Sequence, residues 1–98
     1  MITSVLETTS DQLIEKCSKK GNERYLIQKN PNYMLLSQLS EFDNDVFGKA
    51  DMPILIEELT AIRRTLGPED QAHIDDILRL SVRCRDEEGL TLAFTPFL

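Results

Sequence analysis

The clearest periodic stretch runs from Asp51 to Leu66, DMPILIEELTAIRRTL. Its apolar residues Met52, Leu55, Ile56, Leu59, Ile62 and Leu66 recur three or four apart, which lines them along one face of a helix. Glu57, Glu58, Arg63 and Arg64 fall largely on the other side. Asp51 suits the N-cap, and Pro53 suits the first turn, where a missing N–H costs nothing. Gly67 and Pro68 end the helix, the glycine by tolerating a left-handed C′ conformation. A second helix is predicted from about Pro68 to Glu88, with Ile74, Ile77, Leu78, Ser81 and Cys84 on its inward stripe and Gly89 closing it. The short connection makes the two an αα-hairpin. Leu90, Leu92 and Phe94 then alternate with Thr91, Ala93 and Thr95, a strand over 90–95 that Pro96 stops.

The N-terminal part is less regular. Residues 2–8, ITSVLET, are β-branched and partly alternating, and predict a short strand. Residues 8–21, TTSDQLIEKCSKKG, predict a short helix with Leu13, Ile14 and Cys17 as its stripe and Lys19 and Lys20 at its C-terminal end. After a GN turn, ERYLIQK predicts a second strand, with Tyr25 and Ile27 on one face and Leu26 on the other. Residues 33–42, YMLLSQLSEF, fit either a helical turn or two or a buried irregular segment. Residues 41–50, EFDNDVFGKA, lack any period and read as a loop anchored by Phe42, Val46 and Phe47. The sum is one α+β domain over residues 1–98. A small, mostly antiparallel β-sheet packs against a C-terminal αα-hairpin (about residues 51–66 and 68–88), with a terminal strand at about 90–95.

Composition narrows the class without naming a function. With 98 residues and 41% hydrophobic content, the chain has material for one small core. It has no run of about 18 apolar residues to span a membrane, and no basic-then-apolar N-terminal pattern of a signal peptide. A cytoplasmic protein with no membrane partner is the expectation. Cys17 and Cys84 match neither a CxxC pair nor a zinc spacing, so two reduced, partly buried thiols are favoured over a disulfide. Charge is uneven: residues 1–30 hold five basic and four acidic side chains, residues 31–98 six basic and thirteen acidic. Such a surface repels nucleic acid and suits a basic partner, although surplus carboxylates also serve plain solubility.

Candidate chemistry centres on the acidic loop. Asp43, Asp45 and Gly48 occupy positions 1, 3 and 6 of a calcium loop, but Phe47 and Ile54 stand where positions 5 and 12 need oxygen ligands. No metal is therefore expected. Two readings remain: a tight turn made by Asp43 and Asn44, or an acidic lip of Glu41, Asp43 and Asp45 that a partner recognises, with Glu57 and Glu58 on the helix that follows. His73 is the sole histidine, on the border of its helix stripe beside Asp75 and Asp76, and reads as satisfied by a carboxylate or water. Asp75, Arg79, Arg83 and Glu87 form an i,i+4 ladder, Asp75–Arg79 and Arg83–Glu87, on a solvated face. No phosphate loop, nucleophile elbow or HExxH spacing is present, so no catalytic residue and no cofactor are expected. Phe94, Phe97 and Leu98 either fold back on the core or complete a homodimer through the C-terminal strand, read as a sheet edge.

The run Asn44-Asp45-Val46-Phe47, followed after four residues by MPILIEEL (Met52 to Leu59), resembles a pattern in small uncharacterised bacterial proteins. There an acidic D-x-V-F turn precedes a helix of the form M-x-x-L-x-x-E-L, and a second helix and a strand follow. Asn44 departs from it, standing where the family has aspartate. Over roughly residues 33–98 the resemblance implies architecture and no activity: Val46 and Phe47 stapling the loop to the helix start, and Glu58 bonding back to the loop backbone. The functional expectation is a non-catalytic acidic interaction module, an immunity- or antitoxin-like inhibitor of a basic protein. The alternatives are a homo-oligomeric structural protein and a metal- or small-ligand-binding protein.

Overall fold

A computed structural model describes residues 1–17 and 23–97. Four strands, β1 (Thr3–Thr8), β2 (Leu13–Lys16), β3 (Asp45–Gly48) and β4 (Leu90–Thr95), form one antiparallel sheet in the order β2-β1-β4-β3. A short helix α1 (Glu23–Leu26) follows β2, and α2 (Met52–Arg63) and α3 (Pro68–Asp86) pack against each other and the sheet. The α+β class, the helix pair and the strand at 90–95 are those expected from the pattern. Leu6, Phe47, Leu92 and Phe94 from the sheet join Met52, Leu55, Leu59 and Ile62 of α2 and Ile74, Ile77, Leu80 and Cys84 of α3 in one buried core. Phe47 and Phe94 meet edge to face at 5.9 Å, which locks the outer strand β3 to β4. Among the described residues, no helix is long and apolar enough to cross a membrane.

The N-terminal third differs from expectation. Residues 13–16 are a strand, not a helix. The Thr8 amide donates to the Gln12 carbonyl at 2.8 Å, and the Thr8 hydroxyl accepts the Ser10 and Gln12 amides. Asp11 takes a left-handed φ of 65°. Where a helix start was expected, these bonds close a β-hairpin. A bulge shifts the register between Leu6 and Glu7, and Leu13 and Ile14 stay exposed. Residues 23–26 are helical, not extended, and they bury Tyr25 and Leu26 together, as no alternating strand does. The loop expected over 41–50 contains β3. The expectations placed on Lys19, Lys20 and the GN turn lie outside the described residues.

Three end-of-element details also change. Asp51 does not cap the first-turn amides of α2; its Oδ2 accepts the Gly48 amide at 3.1 Å, which tightens a 3₁₀ turn over Lys49–Asp51. Gly67 has φ −77° and is the extended N-cap of α3, so it is not left-handed; Gly89, with φ 76°, is. Strand β4 lies inside the sheet, bonded to β1 on one side and β3 on the other. It offers no free edge, so the C-terminal strand is not the sheet edge it was expected to be; β2 and β3 are the outer strands.

Candidate functional site

The acidic loop is held from both ends. The Ser40 amide donates to Asp45 Oδ2 at 3.1 Å, and the Phe42 amide donates to Ser40 Oγ at 3.1 Å. The turn expected from side-chain-to-backbone bonds is present, but Ser40 and Asp45 make it rather than Asp43 and Asn44. Beyond the turn, Phe47 is buried and ties β3 to the core, while Val46 is exposed. Phe42, expected to anchor the loop, is 75% exposed. It projects between Glu41 and Asp43, both of which are exposed too.

The five acidic residues singled out from the sequence thus part company. Glu41 and Asp43 share the open rim of the loop, and Asp45 is half-buried and spent on the turn. Glu57 is exposed on α2, whereas adjacent Glu58 is 7% exposed and turned inward. Its Oε1 accepts the Leu35 amide at 3.2 Å and the Leu36 amide at 3.0 Å, and its Oε2 lies 3.3 Å from the Leu35 nitrogen. Glu58 does bond to backbone, as the M-x-x-L-x-x-E-L pattern suggests, but to the turn at 35–36 and not to the loop at 41–50. It clamps that turn from inside the fold.

His73 is also structural. It is 5% exposed, and its Nδ1 shares a 2.8 Å hydrogen bond with the Tyr25 hydroxyl, the rings standing at 89°. That bond docks α1 on α3. Arg24 reinforces it, paired with Asp70 at 2.6 Å and lying 5.2 Å over the Tyr25 ring.

The charges on α3 lie on a largely exposed face, as expected, but they pair differently from the expected ladder. Asp75 pairs with Arg63 of α2 at 2.6 Å, not with Arg79. Arg79 holds Asp76 and Glu15, both at 2.7 Å, and Arg83 holds Glu87 at 2.7 Å as expected and reaches Glu15 at 3.3 Å. Glu15 of β2 is therefore gripped by two arginines, and the Arg79 guanidinium draws its carboxyl below the usual range. Both cysteines are free thiols and more fully buried than expected. Burial, with the Asp76 carboxylate nearby, pushes the Cys17 thiol up to about 12, so it stays protonated and non-nucleophilic at neutral pH. Among the described residues, no group of three or more His, Cys, Asp or Glu side chains is placed to hold a metal ion.

One concavity adjoins the acidic loop. A cleft of about 450 Å³ opens between residues 24–29 and 39–42, with Arg24 and Lys29 on one segment and Ser40 and Glu41 on the other. Ile27, Leu39 and Phe42 provide its apolar lining. The sequence carried no signal for it, because its walls come from a stretch read as a strand and from the end of a stretch read as a helical turn or buried irregular segment. Comparison with protein-family models, curated proteins and solved structures finds no match for the chain.

Proposed function

We propose that the chain is a non-catalytic protein-interaction module, and that the rim Glu41-Phe42-Asp43 docks a basic partner protein, as in an immunity-like inhibitor. The observation that carries this reading is Phe42, 75% exposed between two exposed carboxylates on a loop pinned at Ser40, Asp45 and Phe47. An exposed aromatic on a loop held by hydrogen bonds is the residue type and setting of an interface anchor. Carboxylates around it steer a cationic surface and lose strength with salt. The pinned backbone reduces the ordering cost of association. Glu57 extends the acidic surface on α2; Asp45 and Glu58 serve the scaffold.

Affinity capture of the tagged chain from its own lysate, at low and high salt, tests this. The expected result is a stoichiometric basic protein that high salt releases and that Phe42→Ala fails to retain. Recovery of the bait alone, or a partner held equally by Phe42→Ala, refutes it. A homo-oligomer is a second reading, favoured by Leu13 and Ile14, which are 55% and 44% exposed on outer strand β2. Light scattering that shows a monomer at high concentration removes it.

A further inference from the structure

The cleft beside Phe42 pairs Glu41 of the rim with a cation, Lys29, that the partner reading does not use. Lys29 and Glu41 both line it, both are exposed, and neither has an ion-pair or side-chain hydrogen-bond partner among the described residues, including each other. Most other described lysines and arginines are committed: Arg24 to Asp70, Lys49 to Glu88, Arg63 to Asp75, and Arg79, Arg83 and Arg85 to carboxylates near them. The cleft thus offers one uncommitted cation and one uncommitted anion over apolar lining from Ile27, Leu39 and Phe42. Ser40 adds a hydroxyl that accepts the Phe42 amide and keeps its own proton to donate. Its volume falls in the range of small-molecule sites, about 300–1,000 Å³.

We propose that this cleft binds a small zwitterion of the apolar α-amino-acid class. The ligand carboxylate meets Lys29 with help from Ser40, its ammonium meets Glu41, and its apolar side chain covers Ile27, Leu39 and Phe42. A purely anionic ligand would leave Glu41 repelling it, and a purely cationic one would leave Lys29 doing so. Only a ligand with both charges matches both residues.

Amide chemical-shift titration of the whole chain tests this with three probes: L-phenylalanine, its N-acetyl form, which lacks the positive charge, and its amide, which lacks the negative one. The expected result is saturable shifts at Ile27, Leu39 and Ser40 with L-phenylalanine. Each capped probe binds about two- to fivefold more weakly, the size of one exposed charge contact. Lys29→Gln abolishes the distinction between L-phenylalanine and its amide, and Glu41→Gln the distinction from the N-acetyl form. Both side chains are exposed, so the remaining resonances should stay in place and certify the fold. Absence of saturable shifts, equal binding of all three probes, or discrimination that survives both substitutions overturns the proposal. The titration uses the chain alone, so its outcome is separate from whether a partner protein docks on Phe42.

Discussion

Glu58 is the residue whose removal should cost the fold most for its size. It is a buried acceptor on α2 that satisfies two backbone amides, Leu35 and Leu36, in a segment with little regular structure of its own. That segment delivers Leu35, Leu36 and Leu39 to the core, each 5% exposed or less. Glu58→Ala strands both amides. A buried donor without an acceptor costs roughly 1–3 kcal/mol, so the loss of two should be about 2–6 kcal/mol of a total of about 5–15 kcal/mol typical of a small domain. At about 4–8 °C per kcal/mol for a chain of this size, Tm should fall by at least about 8 °C. Glu58→Gln should cost less. Its carbonyl oxygen can keep the two contacts at 3.0 and 3.2 Å and lose only the charge and the longer 3.3 Å contact. Glu57→Ala, one residue away and exposed, should stay within about 0.5 kcal/mol. Urea unfolding with unchanged m is the assay, and amide exchange at Leu35 and Leu36 is its local readout. A Glu58→Ala midpoint equal to wild type, or a Glu57→Ala loss of the same size, refutes the clamp.

Three further outcomes follow from groups already placed. Ion pairs hold the carboxyls of Glu15, Asp75, Asp86, Glu87 and Glu88 below their ordinary values, so folding binds fewer protons there than the unfolded chain does. Their stabilisation is complete above the ordinary carboxylate values of 3.8 to 4.5 and drains as pH falls beneath them. The urea midpoint should hold down to that range and then drop, more shallowly in high salt; a midpoint independent of pH there contradicts the pairs. Cys17 and Cys84, both buried and both with thiols raised by burial, should ignore a thiol reagent at neutral pH and react together once denaturant is added. Rapid labelling of the native chain would contradict their burial. The hydroxyl of Thr3 is buried with no hydrogen-bond partner among the described residues, so Thr3→Val should leave stability unchanged or raise it by up to about 2 kcal/mol; a clear loss by thermal melting would mean the hydroxyl has an acceptor.

What could be read in the sequence, and what could not, divides by the range of the forces involved. The helices at 52–63 and 68–86 and the strand at 90–95 were legible because a dozen or more local choices agree: stripe, end residues and alternation. Residues 13–16 were misread because Leu13, Ile14 and Cys17 fit a helical stripe as well as a strand, and nothing nearby breaks the tie. The tie is broken at a distance. Arg79 and Arg83, more than sixty residues on, take hold of Glu15, and Cys17 donates its amide to Ser4 at 2.9 Å. As a helix, this segment would place neither group there and would leave one side of β1 unpaired. The candidate site follows the same division. That the loop at 41–45 is acidic is local and was legible. That Glu58 turns away from Glu57 to clamp a turn 22 residues earlier depends on a contact between distant segments, and that Phe42 faces solvent while Phe47 is buried depends on which strand lies beside β3. Because β4 occupies the sheet interior, β3 takes an outer position, Phe47 is drawn onto Phe94, and the loop before it is left at the rim with its aromatic outward. The exposed side chain on which the functional reading rests is therefore a consequence of strand order, which short local patterns do not encode.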